Sequence, residues 1–321
     1  MRKTPRPLKL LKILRRLSHG SHSLKSDRSS PRYTIEYNDH LQKFDGSVSA
    51  LCWAYNEELL IRNFLFRLNG MLKRTVLDYE IVVIDDCSKD QTNFIIRDIQ
   101  RQIPQVRLFR NEKNMNVGFS CKRAIREATK DYLFWQTVDW SYNIRMLRIF
   151  LELLNHHDVV AGVRRVPVTI KNCYVQWIGG VFELFGMKHL KKRSDTIGKS
   201  LISVINYCLI RSLFNLPISD YQNVVFYPTK MIQSFTMEAN SSFINPELLI
   251  KSYLNGANII EVPISFLPRS VGEAKGTKTK AILKSVTDIF KLWVTWRLFG
   301  KISTQLNGGV TRLIPEDWEI V

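Results

Sequence analysis

The chain is expected to fold as an α/β protein, with helices flanking a mostly parallel sheet. Two observations carry this expectation. From Ser47 onward, short apolar runs alternate with segments of helical period, and strand–helix alternation closes into a parallel sheet through right-handed crossovers. Polar or acidic clusters also follow the ends of the apolar runs, which is where open α/β sheets bind ligands. With 321 residues, 45% hydrophobic and 24% charged, the chain can bury a large core and lacks the composition of a disordered protein.

The expected strands are 47–55, 80–85, 106–110 and 132–138, with helices at 57–73, 89–102 and 120–130 between them. Another strand, 158–163, ends at Arg164-Arg165, and the alternation then weakens. Two apolar, cation-studded helices are expected at 175–190 and 197–214, followed by short elements at 224–227, 246–255 and 259–266. A last long helix, 279–299, carries Trp293 and Trp296 among Lys280, Lys284, Lys291 and Arg297. There is no internal repeat.

Lys and Arg number 47 against 29 Asp and Glu, a formal charge of +18, which favours anionic partners. Residues 1–34 read as a basic tail. Within it, Leu10, Ile13, Leu14 and Leu17 share one helical face opposite Lys9, Lys12, Arg15 and Arg16, the pattern of a helix lying on an anionic membrane surface or of a plain basic tail. Residues 18–34 read as a linker. The most apolar segment, 174–190, is interrupted by Glu183 and Lys188, so no spanning helix is expected. The N-terminus shows no secretory signal, and a cytoplasmic, membrane-peripheral protein is expected. Five scattered cysteines and six histidines show neither a disulfide framework nor metal-ligand spacing.

Four clusters fall at strand ends: Tyr55-Asn56-Glu57-Glu58, Asp85-Asp86-Cys87-Ser88-Lys89-Asp90, Asn116-Val117-Gly118 and Thr137-Val138-Asp139. Each alone has an ordinary explanation, Asn56 and Ser88 as helix caps and Glu57 and Asp90 as first-turn acids. Together they bring several carboxylates to one rim, which is favourable when a cation, ribose hydroxyls or base N–H groups bind there.

In Ala54-Tyr55-Asn56-Glu57-Glu58 and in the run from Ile84 to Thr92, IDDCSKDQT, the sequence resembles the family 2 glycosyltransferases of the Rossmann-like GT-A fold. Further on, Ser219-Asp220, Glu247 and the run from Glu261 to Lys275, EVPISFLPRSVGEAK, resemble the dolichyl- and polyprenyl-phosphate sugar transferases. The similarity spans roughly residues 47–295. It implies a transferase domain over 47–300, with a nucleotide-sugar half (47–165), an acceptor and membrane-surface half (166–300) and a tail at 301–321. It also implies that Tyr55, Glu57 and Asp86 or Asp85 hold the donor nucleotide. Asp139 is implied to bind Mg²⁺ or Mn²⁺ on its diphosphate. Arg164, Arg269 and Lys275 are the expected phosphate-holding cations, and Asp220 and Arg269 join Asp139 as catalytic candidates. Thr137 replaces the first Asp of the family's Asp-x-Asp, Trp53 an early Pro, Cys87 a Gly and Ser120 a later Gly.

The function expected from these features is transfer of a sugar from a nucleotide sugar to a lipid phosphate at the cytosolic membrane face. Extension of a polysaccharide or glycolipid at a sugar hydroxyl is the enzymatic alternative, for which Asp220 is the candidate general base. A basic nucleic-acid-binding protein is the non-enzyme alternative, but a nucleic-acid partner is not expected, since no stacking or helix-turn-helix motif accompanies the positive charge.

Overall fold

The first strand, β1 (Phe44–Ala54), is buried at every residue from Val48 to Cys52, as a central strand covered on both faces must be. The structure, a computed structural model, describes residues 43–164, 197–264, 279–298 and 308–312. The expected helix at 175–190 and the basic tail lie outside the described residues.

Four strand–helix units follow one another. They comprise β1 and α1 (Glu58–Thr75), β2 (Val76–Asp85) and α2 (Thr92–Gln102), β3 (Val106–Arg110) and α3 (Asn116–Glu127), and β4 (Tyr132–Trp135) and α4 (Leu147–Leu153). Then come β5 (Val159–Arg164), α5 (Ile197–Phe214), β6 (Val225–Pro228), α6 (Thr229–Gln233), α7 (Ile244–Leu254), β7 (Ile259–Ile264), α8 (Thr279–Leu298) and β8 (Val310–Arg312). The described strands form one sheet in the order β3-β2-β1-β4-β6-β5-β7-β8. β6 runs antiparallel to both β4 and β5, and the other pairs are parallel. This is the mostly parallel α/β sheet that the sequence predicts.

The register aligns the strand ends. Ala54 pairs with Asp85 and Asp85 with Arg110, while Leu51 pairs with Trp135 at the end of β4. Because β6 is reversed, its start lies at the same edge as the ends of β4 and β5. β7 reaches that edge too, with Arg164 opposite Ile264. Two aromatic stacks, on opposite faces because successive strand residues alternate, tie β4 to β6. Phe134 stacks on Phe226, and Phe226 on Phe150, with centroids 4.7 and 4.9 Å apart. On the other face Trp135 lies between Trp53 and Tyr227, at 6.4 and 5.7 Å.

Several boundaries depart from the sequence expectation. β2 begins at Val76, earlier than expected, and α3 begins at Asn116 rather than Ser120. β4 ends at Trp135 rather than Val138, because the Gln136 side chain turns the chain by donating Nε2–H to the Tyr142 carbonyl at 2.8 Å. The short element around 246–255 is the helix α7. Helices α4 and α6, with 7 and 5 residues, are too short to show a period. The three-residue β8 gains its order from pairing with β7.

Candidate functional site

The turns after β1 and β2 are laced to each other. Asn56 N–H donates to Ser88 Oγ (3.0 Å), Lys89 N–H to Asn56 Oδ1 (2.9 Å) and Glu57 N–H to Thr92 Oγ1 (2.8 Å). Asp90 accepts Glu58 N–H with one oxygen (3.2 Å) and Thr92 N–H with the other (3.0 Å), while Glu58 accepts Gln91 N–H (2.9 Å). Burial alone raises the Asp90 carboxyl, but the Thr92 and Glu58 hydrogen bonds outweigh it and hold the pKa below the ordinary value. Asn56 and Ser88 therefore cross-link two turns instead of capping the helices that follow them. One consequence is that Tyr55 and Glu57 are held against the Asp85–Asp90 segment.

The two neighbouring aspartates differ in their surroundings. Asp85 is fully buried, at 0% exposure. It accepts Ser88 N–H (3.0 Å) and Asn93 Nδ2–H (2.8 Å), with Arg110 Nε at 3.3 Å, so it fastens the β2 turn to β3 and α2. Asp86 faces the start of α3, where it accepts Met115 N–H (2.8 Å), Asn116 N–H (2.9 Å) and Asn111 Nδ2–H (2.7 Å). These backbone donors carry the positive end of the helix dipole, which favours a carboxylate. Asn111, absent from the sequence expectation, also donates to Ser120 Oγ (3.0 Å) and accepts from Arg123 (2.8 Å). Its position one residue past β3 was the available signal.

The β4 turn presents Asp139. Trp140 N–H donates to the Thr137 carbonyl (2.9 Å), Ser141 N–H to Thr137 Oγ1 (3.1 Å), and Ser141 Oγ–H to Asp139 Oδ1 (2.7 Å). Trp140 anchors this turn on α1, packing on Phe64 at 5.6 Å and under the Arg67 guanidinium at 4.1 Å. Each of the four strand-end turns holds one non-glycine residue in the left-handed region: Asn56 (φ 51°), Cys87 (φ 62°), Asn116 (φ 67°) and Trp140 (φ 56°). Asn tolerates this conformation, whereas other side chains are strained there by ~1–2 kcal/mol. Cys87, which stands where the resembled family has Gly, keeps the backbone that a glycine serves.

Asp220 precedes β6 and so reaches the same sheet edge from the second half. It is buried and accepts Gln222 N–H (3.2 Å) and Asn223 Nδ2–H (3.4 Å). The segment is fixed from β7, where the buried Glu261 accepts Ser219 N–H and Ser219 Oγ–H, both at 2.6 Å. Glu247 on α7 has a comparable task, accepting Glu238 N–H (2.8 Å), Ala239 N–H (2.7 Å) and Lys251 Nζ–H (2.6 Å). The loop it holds presses on α3, and a Cβ at Gly118 would lie 2.4 Å from the Asn240 carbonyl carbon. Lys122 completes the junction by donating to Asn240 Oδ1 (2.9 Å) and the Glu238 carbonyl (3.3 Å).

Tyr55, Glu57, Asp85, Asp86, Asp139 and Asp220 thus belong to segments at one edge of the sheet. Backbone Arg164 ends β5 there, and Arg269 and Lys275 lie outside the described residues. Among the described residues no group of three His, Cys, Asp or Glu side chains could cage a metal. Asp139 offers one carboxylate near the Thr137 hydroxyl, oxygen donors of the kind that Mg²⁺ or Mn²⁺ takes. A surface hollow of about 310 Å³, lined by Tyr79, Glu80, Arg107 and Lys130 among others, includes residues near the opposite strand ends and is not the candidate site.

Comparison with known proteins agrees with the fold. The profile described as Glycosyl transferase family 2 matches residues 49–212, more than half of the chain. The chain belongs to this family. The family-2 chain is 26% identical over 249 residues to a dolichol-phosphate mannosyltransferase of Pyrococcus furiosus, covering 76% of this chain and 63% of that protein; it therefore spans less than two thirds of that relative. It is 24% identical over 213 residues to an undecaprenyl-phosphate mannosyltransferase of Micrococcus luteus, covering 64% of this chain and 79% of the relative. Among solved structures, glucosyl-3-phosphoglycerate synthase from Mycobacterium tuberculosis in complex with UDP superposes with a TM-score of 0.54 at 12% identity, over 77% of this chain and 80% of that one. A complex of the same synthase with phosphoglyceric acid gives 0.51 at 12% identity, over 77% and 79%. The shared architecture is the GT-A fold.

Proposed function

We propose that this family-2 chain transfers a glycosyl group from a nucleotide-diphosphate sugar to a lipid phosphate at the cytoplasmic face of a membrane. The observation that carries the reading is the convergence at one sheet edge of the Tyr55–Glu57, Asp85–Asp86 and Asp139 segments with Asp220 and the exits of β5 and β7. The kinship with two polyprenyl-type phosphate mannosyltransferases supports the acceptor class, and the synthase bound to UDP supports the donor class.

In this reading Tyr55, Glu57 and Asp86 take the nucleoside, while Asp85 keeps the β2 turn in shape. Asp139 would be the residue that holds Mg²⁺ or Mn²⁺, and a bound ion would supply neutralisation of charge on the leaving diphosphate. The fixed N–H groups of the turns leave little reorganisation for the reaction itself. A phosphate monoester is already anionic and needs cations to hold it, where a sugar hydroxyl needs a positioned base. Arg164, Arg269 and Lys275 are assigned to the phosphate, Arg269 by the bidentate grip that a guanidinium offers and an ammonium does not.

The test is a pair of variants assayed with a short-chain prenyl phosphate and with saccharide acceptors. Arg269→Lys is expected to weaken use of the phosphate acceptor far more than it weakens donor binding. A neutral Arg269→Lys, with Asp220→Asn abolishing transfer to a saccharide, would establish Asp220 as a general base and the hydroxyl acceptor as the substrate.

A further inference from the structure

Helix α5 and the segment before β6 bring together polar side chains that the donor edge does not use. Tyr207 and Arg211 are four residues apart on α5 and so share one helix face. The ring of Tyr221, the residue after Asp220, packs against Tyr207 with centroids 5.9 Å apart. The end of α5 is firmly held. Trp293 donates Nε1–H to the Leu213 carbonyl at 2.9 Å, and Phe214 packs on Phe243 and on Trp296 with centroids 6.1 and 5.5 Å apart.

Two features of this cluster ask for a ligand. Tyr221 is 2% exposed, yet its hydroxyl has no hydrogen-bond partner, a condition that folded proteins seldom leave uncompensated. Arg211 is half-buried, and among the described residues its guanidinium has neither an ion pair nor a hydrogen bond. The carboxylates nearby are engaged by other donors, Asp220 by Gln222 N–H and Asn223 Nδ2–H and Glu261 by Ser219 N–H and Oγ–H. Burial raises the pKa of both phenols, and the Arg211 charge that opposes it is the largest charge acting on either one. Both therefore remain O–H donors at neutral pH, beside a permanent cation. Arg211 stands in the last turn of α5, where a cation also complements the carbonyl end of the helix. That task asks only for charge, and it leaves the Tyr221 hydroxyl unexplained.

We propose that Arg211, Tyr207 and Tyr221 form a phosphate-binding site, in which the guanidinium grips two oxygens of the anion and the phenols donate to it. A planar, always-charged fork with O–H donors on rigid elements matches a tetrahedral oxyanion. The occupant is the phosphate monoester of the acceptor, so the proposal rests on the lipid-phosphate reading and adds residues to it. The position suits that occupant. Tyr221 lies on the segment that brings Asp220 to the ligand edge, and Glu261, which holds Ser219, is on β7, the neighbour of the strand that ends in Arg164.

The experiment measures binding of a water-soluble short-chain prenyl phosphate, and separately of inorganic phosphate, to the full chain by calorimetry. Wild type, R211K, R211Q and Y221F are compared, with a ligand-free unfolding midpoint for each. R211K is expected to weaken prenyl phosphate binding by about tenfold, because an ammonium keeps the charge at the helix end and loses the bidentate grip. R211Q, which removes the charge as well, should weaken it further. Y221F should also weaken it by about tenfold without lowering the ligand-free midpoint, since the hydroxyl it removes has no partner in the protein. A lowered midpoint with unchanged binding would instead make Tyr221 a structural residue and overturn its part in the site. Prenyl phosphate that binds wild type, R211Q and Y221F equally overturns the site and leaves the lipid-phosphate reading in place. Inorganic phosphate that binds the wild type and not R211Q, where prenyl phosphate does not bind, supports the site and overturns the acceptor reading. A wild type that binds neither overturns the site.

Discussion

The turns after β1 to β4 and the segments around β6 and β7 both bring carboxylates to one sheet edge, yet they use them differently. In the first region Asp86 and Asp90 accept N–H groups from turns and helix starts, and Asp139 lies half-exposed in a turn pinned by Trp140. In the second, Glu247 and Glu261 sit inside elements, buried, and each ties a neighbouring segment to its helix or strand through paired donors. The difference teaches that a motif carboxylate can be a strut as readily as a ligand. Asp85, although it lies in the strand-end cluster of the first region, belongs with the struts.

The sharpest way to break this comparison is to remove a strut. Glu247→Ala leaves Glu238 N–H, Ala239 N–H and the Lys251 ammonium without their acceptor. Loss of one member of a buried ion pair costs about 3–5 kcal/mol, so denaturant unfolding should show a loss of that order. A cost below about 1 kcal/mol, typical of a surface pair, would contradict the strut role of Glu247. Gly118→Ala tests the junction between the two regions. Its methyl group would meet the Asn240 backbone at 2.4 Å, and overpacking of this kind costs about 1–3 kcal/mol. Transfer should fall along with stability, because the displaced loop and the helix that binds Asp86 are in contact. Full activity with lost stability would separate the loop from the site.

A smaller effect distinguishes the far edge of the sheet from the site edge. Glu80 accepts Ser49 Oγ–H (2.6 Å), Thr129 N–H (2.6 Å) and Arg107 Nη1–H (2.6 Å). Burial raises its carboxyl, but these bonds prevail and hold it below the ordinary 4.5. A depressed folded-state pKa stabilises the fold above the unfolded value and loses that stabilisation as pH falls through the folded one. The gap in urea midpoint between wild type and Glu80→Gln should be constant well above pH 4.5 and narrow below it. A gap independent of pH would remove Glu80 from the acid-sensitive groups.

The sheet was readable because its evidence is local: β3 at 106–110 and α5 at 197–214 match their apolar runs residue for residue. The strand-end clusters were readable for the same reason, since parallel strands with aligned registers must end together. The lacing of Asn56 with Ser88 and Lys89 spans more than 30 residues, and no local propensity encodes it. The strut role of Glu261 was hidden because its partner, Ser219, is 42 residues away. β8 and the outward apolar face of α8 depend on which surface packing leaves uncovered, and periodicity alone shows an apolar helix without saying which side faces the core.

The central claim is that the edge holding Asp139 receives a nucleotide diphosphate with a divalent ion. The direct measurement is the thermal unfolding midpoint of wild type and Asp139→Asn, alone and with a panel of nucleoside diphosphates, with and without Mn²⁺, since a ligand that binds only the folded state raises its stability. The predicted result is a Mn²⁺-dependent rise for one diphosphate in the wild type. Asp139→Asn should keep the ligand-free midpoint, lose that rise, and transfer sugar about a hundredfold more slowly or worse. A variant that keeps the Mn²⁺-dependent rise, or that melts early while retaining its specific activity, would make Asp139 a structural residue of the β4 turn and contradict the account.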